Sequence, residues 1–200
     1  LSAVDDFTRA ETEHVFALDA LTIVANPDRP ILPISTDVLA EILGGRITDW
    51  RELGSAAGPI TVVVGKDLAD ALTLDGLAGR LVRLGPAVRL VSGDATVADM
   101  VAADISAFGL VTFGSEGDAA PVSVAECGLV YEPRRFTAKT EEYPLTRRLY
   151  MYYSPLTTPS AAPSFVRYAQ SLEGQEIVEQ QGLVDLRIEG QTPAAFSEAN

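Results

Sequence analysis

The segment Asp67-Leu68-Ala69-Asp70 has a placement suited to ligand chemistry. It follows the β-branched run Ile60 to Val64 and opens a stretch with helical spacing. In an α/β arrangement, ligands sit beyond the carboxyl ends of strands, where helix N-termini present free N–H groups. The structural alternative is that Asp67 or Asp70 caps the helix, worth about 1 kcal/mol. Ser92-Gly93-Asp94-Ala95-Thr96 offers the same choice between an anion cradle and a plain N-cap, with Asp94 as the capping residue. Arg134-Arg135 and Arg147-Arg148 are the only basic doublets, and solvated surface is their default role. Glu41, Asp49 and Glu52 read as a solvated face. No carboxylate pair has a placement that argues for acid–base catalysis. The single His14 rules out paired-histidine zinc sites and disfavours a Ser-His-Asp arrangement. The single Cys127 cannot form an internal disulfide.

Composition narrows the classes further. The chain has 200 residues, enough for one large domain or two small lobes. It is 47% hydrophobic with few aromatics, so its core is mostly aliphatic. No apolar run reaches the roughly 18–20 residues that span a membrane. The start, Leu1 to Asp6, lacks the basic and apolar parts of a signal peptide. A net charge of −13 repels nucleic acid at long range, and no basic run with interleaved aromatics offsets it. Neither a metal nor an organic cofactor is expected.

The elements that must position these residues follow from periodicity. The second half of His14 to Asn26, Ala20 to Ala25, reads as a buried strand. Ser35-Thr36-Asp37 supplies an N-cap, Val38, Leu39, Ile42 and Leu43 follow at helical spacing, and Gly44-Gly45 ends that helix. Ile60 to Val64 predicts a second strand, about Asp67 to Arg83 a helix, and Val88 to Val91 a third strand. A helix carrying Val97, Met100 and Val101 comes next, then a fourth strand over Ile105 to Phe113. Ser115 to Val122 reads as a loop, Tyr143 to Tyr153 as extended, and Ala162 to Leu172 and Gly174 to Gln181 as two helical pieces. Leu183 to Leu186 is a short extended piece, and 190–200 a tail or linker. The alternation predicts an α/β lobe with a largely parallel sheet.

Four blocks in fixed order resemble the phosphate-binding proteins of bacterial ABC transporters, which have the type 2 periplasmic-binding fold. They are Ala17 to Pro27; the turn Gly44-Gly45-Arg46-Ile47-Thr48-Asp49-Trp50; Ile105 to Val111; and Tyr143-Pro144-Leu145-Thr146-Arg147 with Phe165 to Val184. The resemblance spans about Ala17 to Leu186. It implies two lobes: an inserted α/β lobe over 24–113, with 1–23 and 114–189 forming the remainder of the first. It implies closure on a ligand by a hinge, no catalytic step, and a periplasmic or cell-envelope setting. The implied ligand is a small anion, phosphate or similar; the implied partner is an ABC permease or an envelope protein.

Two departures qualify the resemblance. Family members carry about two strand–helix units and a Gly-Ser-rich anion loop before the first block, whereas sixteen residues precede Ala17. An incomplete first lobe is expected, and with it pairing to a second copy. At the second strand's end the family has Arg, Asp and then Ser-Gly-Thr. Here Lys66 takes the place of the Arg, Asp67 matches, and Ala69-Asp70-Ala71 replaces Ser-Gly-Thr, with Thr73 beyond. Lys66, Asp67, Asp70 and Thr73 are therefore the candidate ligand-binding residues. Each lost hydrogen bond to a charged group costs about 1.5–3 kcal/mol, and Lys66 cannot reproduce an arginine's fork. Weak or altered anion binding is expected. The other expectation from the same residues is a structural or protein-interaction module with a decayed site.

Overall fold

The computed structural model describes residues 13–75, 77, 82–153 and 161–187. In chain order these form β1 (Glu13–Ala25), α1 (Thr36–Leu43), a 3-10 turn (Trp50–Leu53), β2 (Thr61–Gly65), α2 (Lys66–Asp75), β3 (Arg89–Val91), α3 (Asp94–Ala103) and β4 (Ala107–Thr112). There follow β5 (Ala120–Val122), β6 (Val124–Glu126), β7 (Leu129–Tyr131), α4 (Arg135–Lys139), β8 (Thr146–Tyr152), α5 (Ala162–Ala169) and α6 (Leu172–Gln180). The chain divides into two compact units, residues 19–147 and residues 1–18 with 148–200. No described helix is long and apolar enough to cross a membrane.

The 19–147 unit is a mixed α/β body. Its sheet has the order β3-β2-β4-β1-β5. The strands β3, β2 and β4 are parallel, and β1 is antiparallel to both β4 and β5. Val63 of β2, Val24 of β1, and Val97 and Val101 of α3 are fully buried together. Gly109 of β4 permits this packing. A Cβ there would lie 2.7 Å from Val97 Cγ1, 3.0 Å from Val101 Cγ2 and 3.1 Å from Val24 Cγ2. Asn26 anchors the other end of α3, its Nδ2 donating to the carbonyls of Val101 (3.1 Å) and Ala102 (2.7 Å). Ser35 caps α1 as expected, accepting from the Val38 amide. Trp50 is fully buried; its indole N–H donates to the Ser106 carbonyl and Arg29 lies over its ring.

Three local expectations need correction. The segment Ser115 to Val122 is not all loop, because Ala120–Val122 is a strand registered against Ile23–Ala25. Pro121 is tolerated there because β5 lies at the end of the strand order. Strand β1 runs through the whole of Glu13–Ala25, including the half that had no strand assignment. Helix α2 ends at Asp75, and Val82 and Arg83 are not helical; residues 76 and 78–81 lie outside the described residues.

In the other unit, Gln175 of α6 is the central tie. It is 2% exposed; its Nε2 donates to the carbonyls of Phe16 and Ala169, and its Oε1 accepts from the Leu186 amide. Gly174 lets α6 approach α5: a Cβ there would fall 2.2 Å from the Tyr168 carbonyl oxygen. Leu18 and Val184 exchange backbone hydrogen bonds.

Candidate functional site

Within the 19–147 unit, a cleft of about 410 Å³ opens at the carboxyl ends of β2 and β4. Strand β2 passes without a linker into α2, so Gly65 and Asp67 lie together at its floor. Gly93 and Asp94, at the start of α3, form a second side. A Cβ on Gly65 would meet Gly93 Cα and Asp94 Oδ1, each at 3.4 Å. Those are ordinary contact distances, so the two helix starts lie side by side. Strand β4 contributes Thr112, β1 contributes Asp19, and Arg147 lines the cleft from β8.

The polar groups are arranged asymmetrically. Arg147 donates from both Nη2 (2.8 Å) and Nε (2.9 Å) to the same oxygen, Oδ2 of Asp19. The Asp19 side chain is 10% exposed and that of Arg147 40%. Oδ1 of Asp19 is buried and meets no donor among the described residues. Asp94 Oδ2 accepts the Thr112 amide at 2.8 Å. Asp94 is therefore not the cap of α3. Gly93 holds the N-cap position without a side-chain bond, and Asp94 is the first helical residue, turned to the neighbouring strand. Ser92 and Thr96 hydrogen-bond to each other.

Of the four residues singled out from the sequence, Asp67 lines this cleft. Lys66 and Asp70 are exposed on α2 and are not among its lining residues. Thr73 is in α2, and its side chain lies outside the described residues. Asp19, Asp94, Thr112 and Arg147 complete the site, and the sequence reading did not bring them together. One signal was present: Asp19 is the only charged residue in the mostly apolar run Ala17 to Ala25. A carboxylate in a buried strand requires a cation, and Tyr143 to Arg147 supplies one.

Asp49, Glu52 and Glu41 make local structural contacts. Asp49 caps the 3-10 turn and pairs with Arg51, whose hydrogen bonds hold the Asp49 carboxyl well below the usual carboxylate range. Glu52 completes that capping box, and Glu41 pairs with Arg46 at the surface. Arg134 pairs with Glu132. No three His, Cys, Asp or Glu residues among those described converge closely enough to hold a metal ion.

A parallel-sheet crossover unit with a cleft at its strand ends defines a class of protein, and the comparisons agree with it. The family described as PBP superfamily domain matches residues 3–173, and the chain belongs to that superfamily. Two relatives are named as phosphate-binding proteins. The PstS protein of Borreliella burgdorferi is 22% identical over 197 residues, covering 91% of this chain and 70% of that protein. The PstS protein of Bacillus subtilis is 27% identical over 184 residues, covering 88% and 58%. Among solved structures, an ABC-type phosphate transport receptor from Vibrio cholerae superposes with a TM-score of 0.75 at 18% identity, covering 92% of this chain and 76% of that one. PstS from Borrelia burgdorferi gives 0.72 at 21% identity, covering 94% and 77%. At these identities the structural likeness is one of fold. The chain spans less than two thirds of the Bacillus relative and about three quarters of the solved chains, so it carries a partial version of that fold.

Proposed function

We propose that this chain is a non-catalytic solute-binding module of the cell envelope, whose phosphate affinity is weak or altered relative to its phosphate-binding relatives. The observation that carries the reading is the charge of the cleft. Asp19, Asp67 and Asp94 line it, of which Asp67 alone matches the family pattern, and among the described lining residues the one basic group, Arg147, is engaged by Asp19. Two unit charges about 5 Å apart interact by about 3 kcal/mol at an effective dielectric near 20. A phosphate dianion therefore meets more repulsion than Arg147 and the helix N-termini offset. Lys66, Asp67, Asp70 and Thr73 stand in this proposal as the remnant of an anion loop, with Asp67 the member that lines the cleft. The implied partner is an ABC permease or another envelope protein.

Isothermal titration of the chain with inorganic phosphate at neutral pH tests the reading. The expected result is no saturable binding below about 100 μM, which corresponds to about 5 kcal/mol. Sub-micromolar affinity overturns it. One observation favours a second reading, a protein-interaction module with a decayed ligand site. Phe165 (60% exposed), Tyr168, Leu172 and Ile177 leave apolar surface open on α5 and α6. That surface would suit an envelope partner or a second copy of the chain.

A further inference from the structure

We propose that a second pocket of the 19–147 unit takes a zwitterionic, aliphatic α-amino acid. The pocket encloses about 300 Å³ where three loops meet: the one after β1, the one after the 3-10 turn, and the connection from α3 to β4. It shares no lining residue with the strand-end cleft. Its fixed group is Arg29, whose guanidinium lies over the Trp50 ring, 4.8 Å from the centroid. Nε donates to the Ile105 carbonyl at 2.6 Å, and Nη1 to the Ala56 carbonyl at 2.9 Å and the Ser55 hydroxyl at 3.4 Å. Those three residues themselves line the pocket. Nη2 has no partner among the described residues and is not buried. A guanidinium held by a ring and by carbonyls is already ordered, so a carboxylate that meets Nη2 costs little further side-chain freedom.

Asp28 supplies the opposite charge. It lines the same pocket, and its carboxylate has no hydrogen bond or ion pair among the described residues, the adjacent Arg29 included. Two unlike charges that leave each other unpaired at one pocket complement a ligand carrying both signs. Its carboxylate accepts from the guanidinium, and its ammonium, with three donors and no acceptor, donates to Asp28. A simple carboxylate would meet repulsion from Asp28, and a simple amine from Arg29. The rest of the wall is apolar. Leu32 is 67% exposed and Ile105 52%, and both line the pocket together with Ile31. Large apolar side chains left open beside fixed polar groups are the makings of a ligand site. The volume is at the lower end for such sites and suits one aliphatic amino acid better than a peptide.

The test titrates the whole chain with L-leucine, 4-methylpentanoate (which lacks the ammonium) and 3-methylbutylamine (which lacks the carboxylate). Amide chemical shifts locate the site and give the affinity. The expected outcome is saturable leucine binding, at about 1 mM or tighter, with shifts at Asp28, Arg29, Leu32, Ser55, Ala56 and Ile105. Both analogues are expected to bind at least about fivefold more weakly, each losing one partly screened charge. Asp28→Asn is expected to weaken leucine by a similar factor without weakening 4-methylpentanoate. Its side chain has no partner to lose, and unchanged dispersion of the spectrum shows that the variant folds. Ile105→Ser removes part of the apolar wall, keeps the carbonyl that holds Arg29, and is expected to weaken leucine about threefold. Leucine binding no tighter than that of either analogue overturns the proposal. So does leucine affinity unchanged in Asp28→Asn and Ile105→Ser, or the absence of saturable shifts at these amides. Each of those results leaves the weak-phosphate reading of the strand-end cleft as it stands.

Discussion

Replacing Arg147 by Met tests whether its contact with the buried Asp19 stabilises the cleft. The change keeps an unbranched stem and removes both hydrogen bonds to Asp19 Oδ2, at 2.8 and 2.9 Å. Removing one partner of a fully buried pair costs about 3–5 kcal/mol, because the remaining charge stays desolvated. Here the Arg147 side chain is 40% exposed and Asp19 10%, so water screens part of the interaction. About 2 kcal/mol is the expected loss. Asp19→Asn alone is expected to cost less, since the half-exposed Arg147 can turn to solvent. The double variant is expected to recover at least about 1 kcal/mol relative to the sum of the two single changes, the coupling of residues in direct contact. Urea denaturation followed by circular dichroism measures this, with an unchanged m-value showing that only stability has moved. A loss under about 0.5 kcal/mol for Arg147→Met, with strict additivity in the double variant, refutes the reasoning. Asp19 would then not be coupled to Arg147 as a buried partner, and the charge argument behind the proposed function would lose one of its members.

Three further outcomes are expected. Gly109→Ala forces a methyl to within 2.7 Å of Val97 Cγ1, among stiff β-branched side chains, and should destabilise by about 2 kcal/mol in the same urea assay. Gly174→Ala sets a methyl against backbone rather than side chain, 2.2 Å from the Tyr168 carbonyl oxygen, and should cost about 3 kcal/mol or more, read as a lowered melting temperature. Burial, reinforced by the charge of Glu116, pushes the Tyr143 hydroxyl above the usual tyrosine range. The folded chain therefore holds that proton more tightly than the unfolded chain. The stability it represents is complete below about pH 10 and is lost as the pH rises beyond it. Tyr143→Phe should flatten that alkaline loss. Because the buried hydroxyl has no partner among the described residues, the same change should also add about 1 kcal/mol at pH 7, measured by urea denaturation.

The fold was legible wherever local rules and burial agree. Ser35 before an apolar helical pattern, the β-branched run at Ile60 to Val64, and the valines of α3 each specify an element without reference to the rest of the chain. The family-like blocks were legible as patterns, while their reasons are tertiary. Gly174 and Gln175 stand together because one admits the Tyr168 carbonyl and the other ties Phe16, Ala169 and Leu186. Asn26 stands before a proline because it satisfies the carbonyls at the end of a helix about 76 residues away. The three-residue strands were illegible. Ala120–Val122 is too short to show a period, contains a proline, and becomes a strand only because Ile23–Ala25 offers a free edge.

The site was harder to read than the fold because its chemistry comes from residues with no local pattern. Asp19 and Arg147 are 128 positions apart, and an arginine doublet looks the same whether it is solvated or answers a buried carboxylate. Asp94 sits where a capping residue is expected, yet it bonds across to β4. The sign of the cleft then follows by addition. Each helix N-terminus is worth about half a positive charge, so α2 and α3 together offset about one carboxylate. Arg147 offsets another, and one of Asp19, Asp67 and Asp94 is left over. That excess is the premise on which the proposed weakening of phosphate affinity rests.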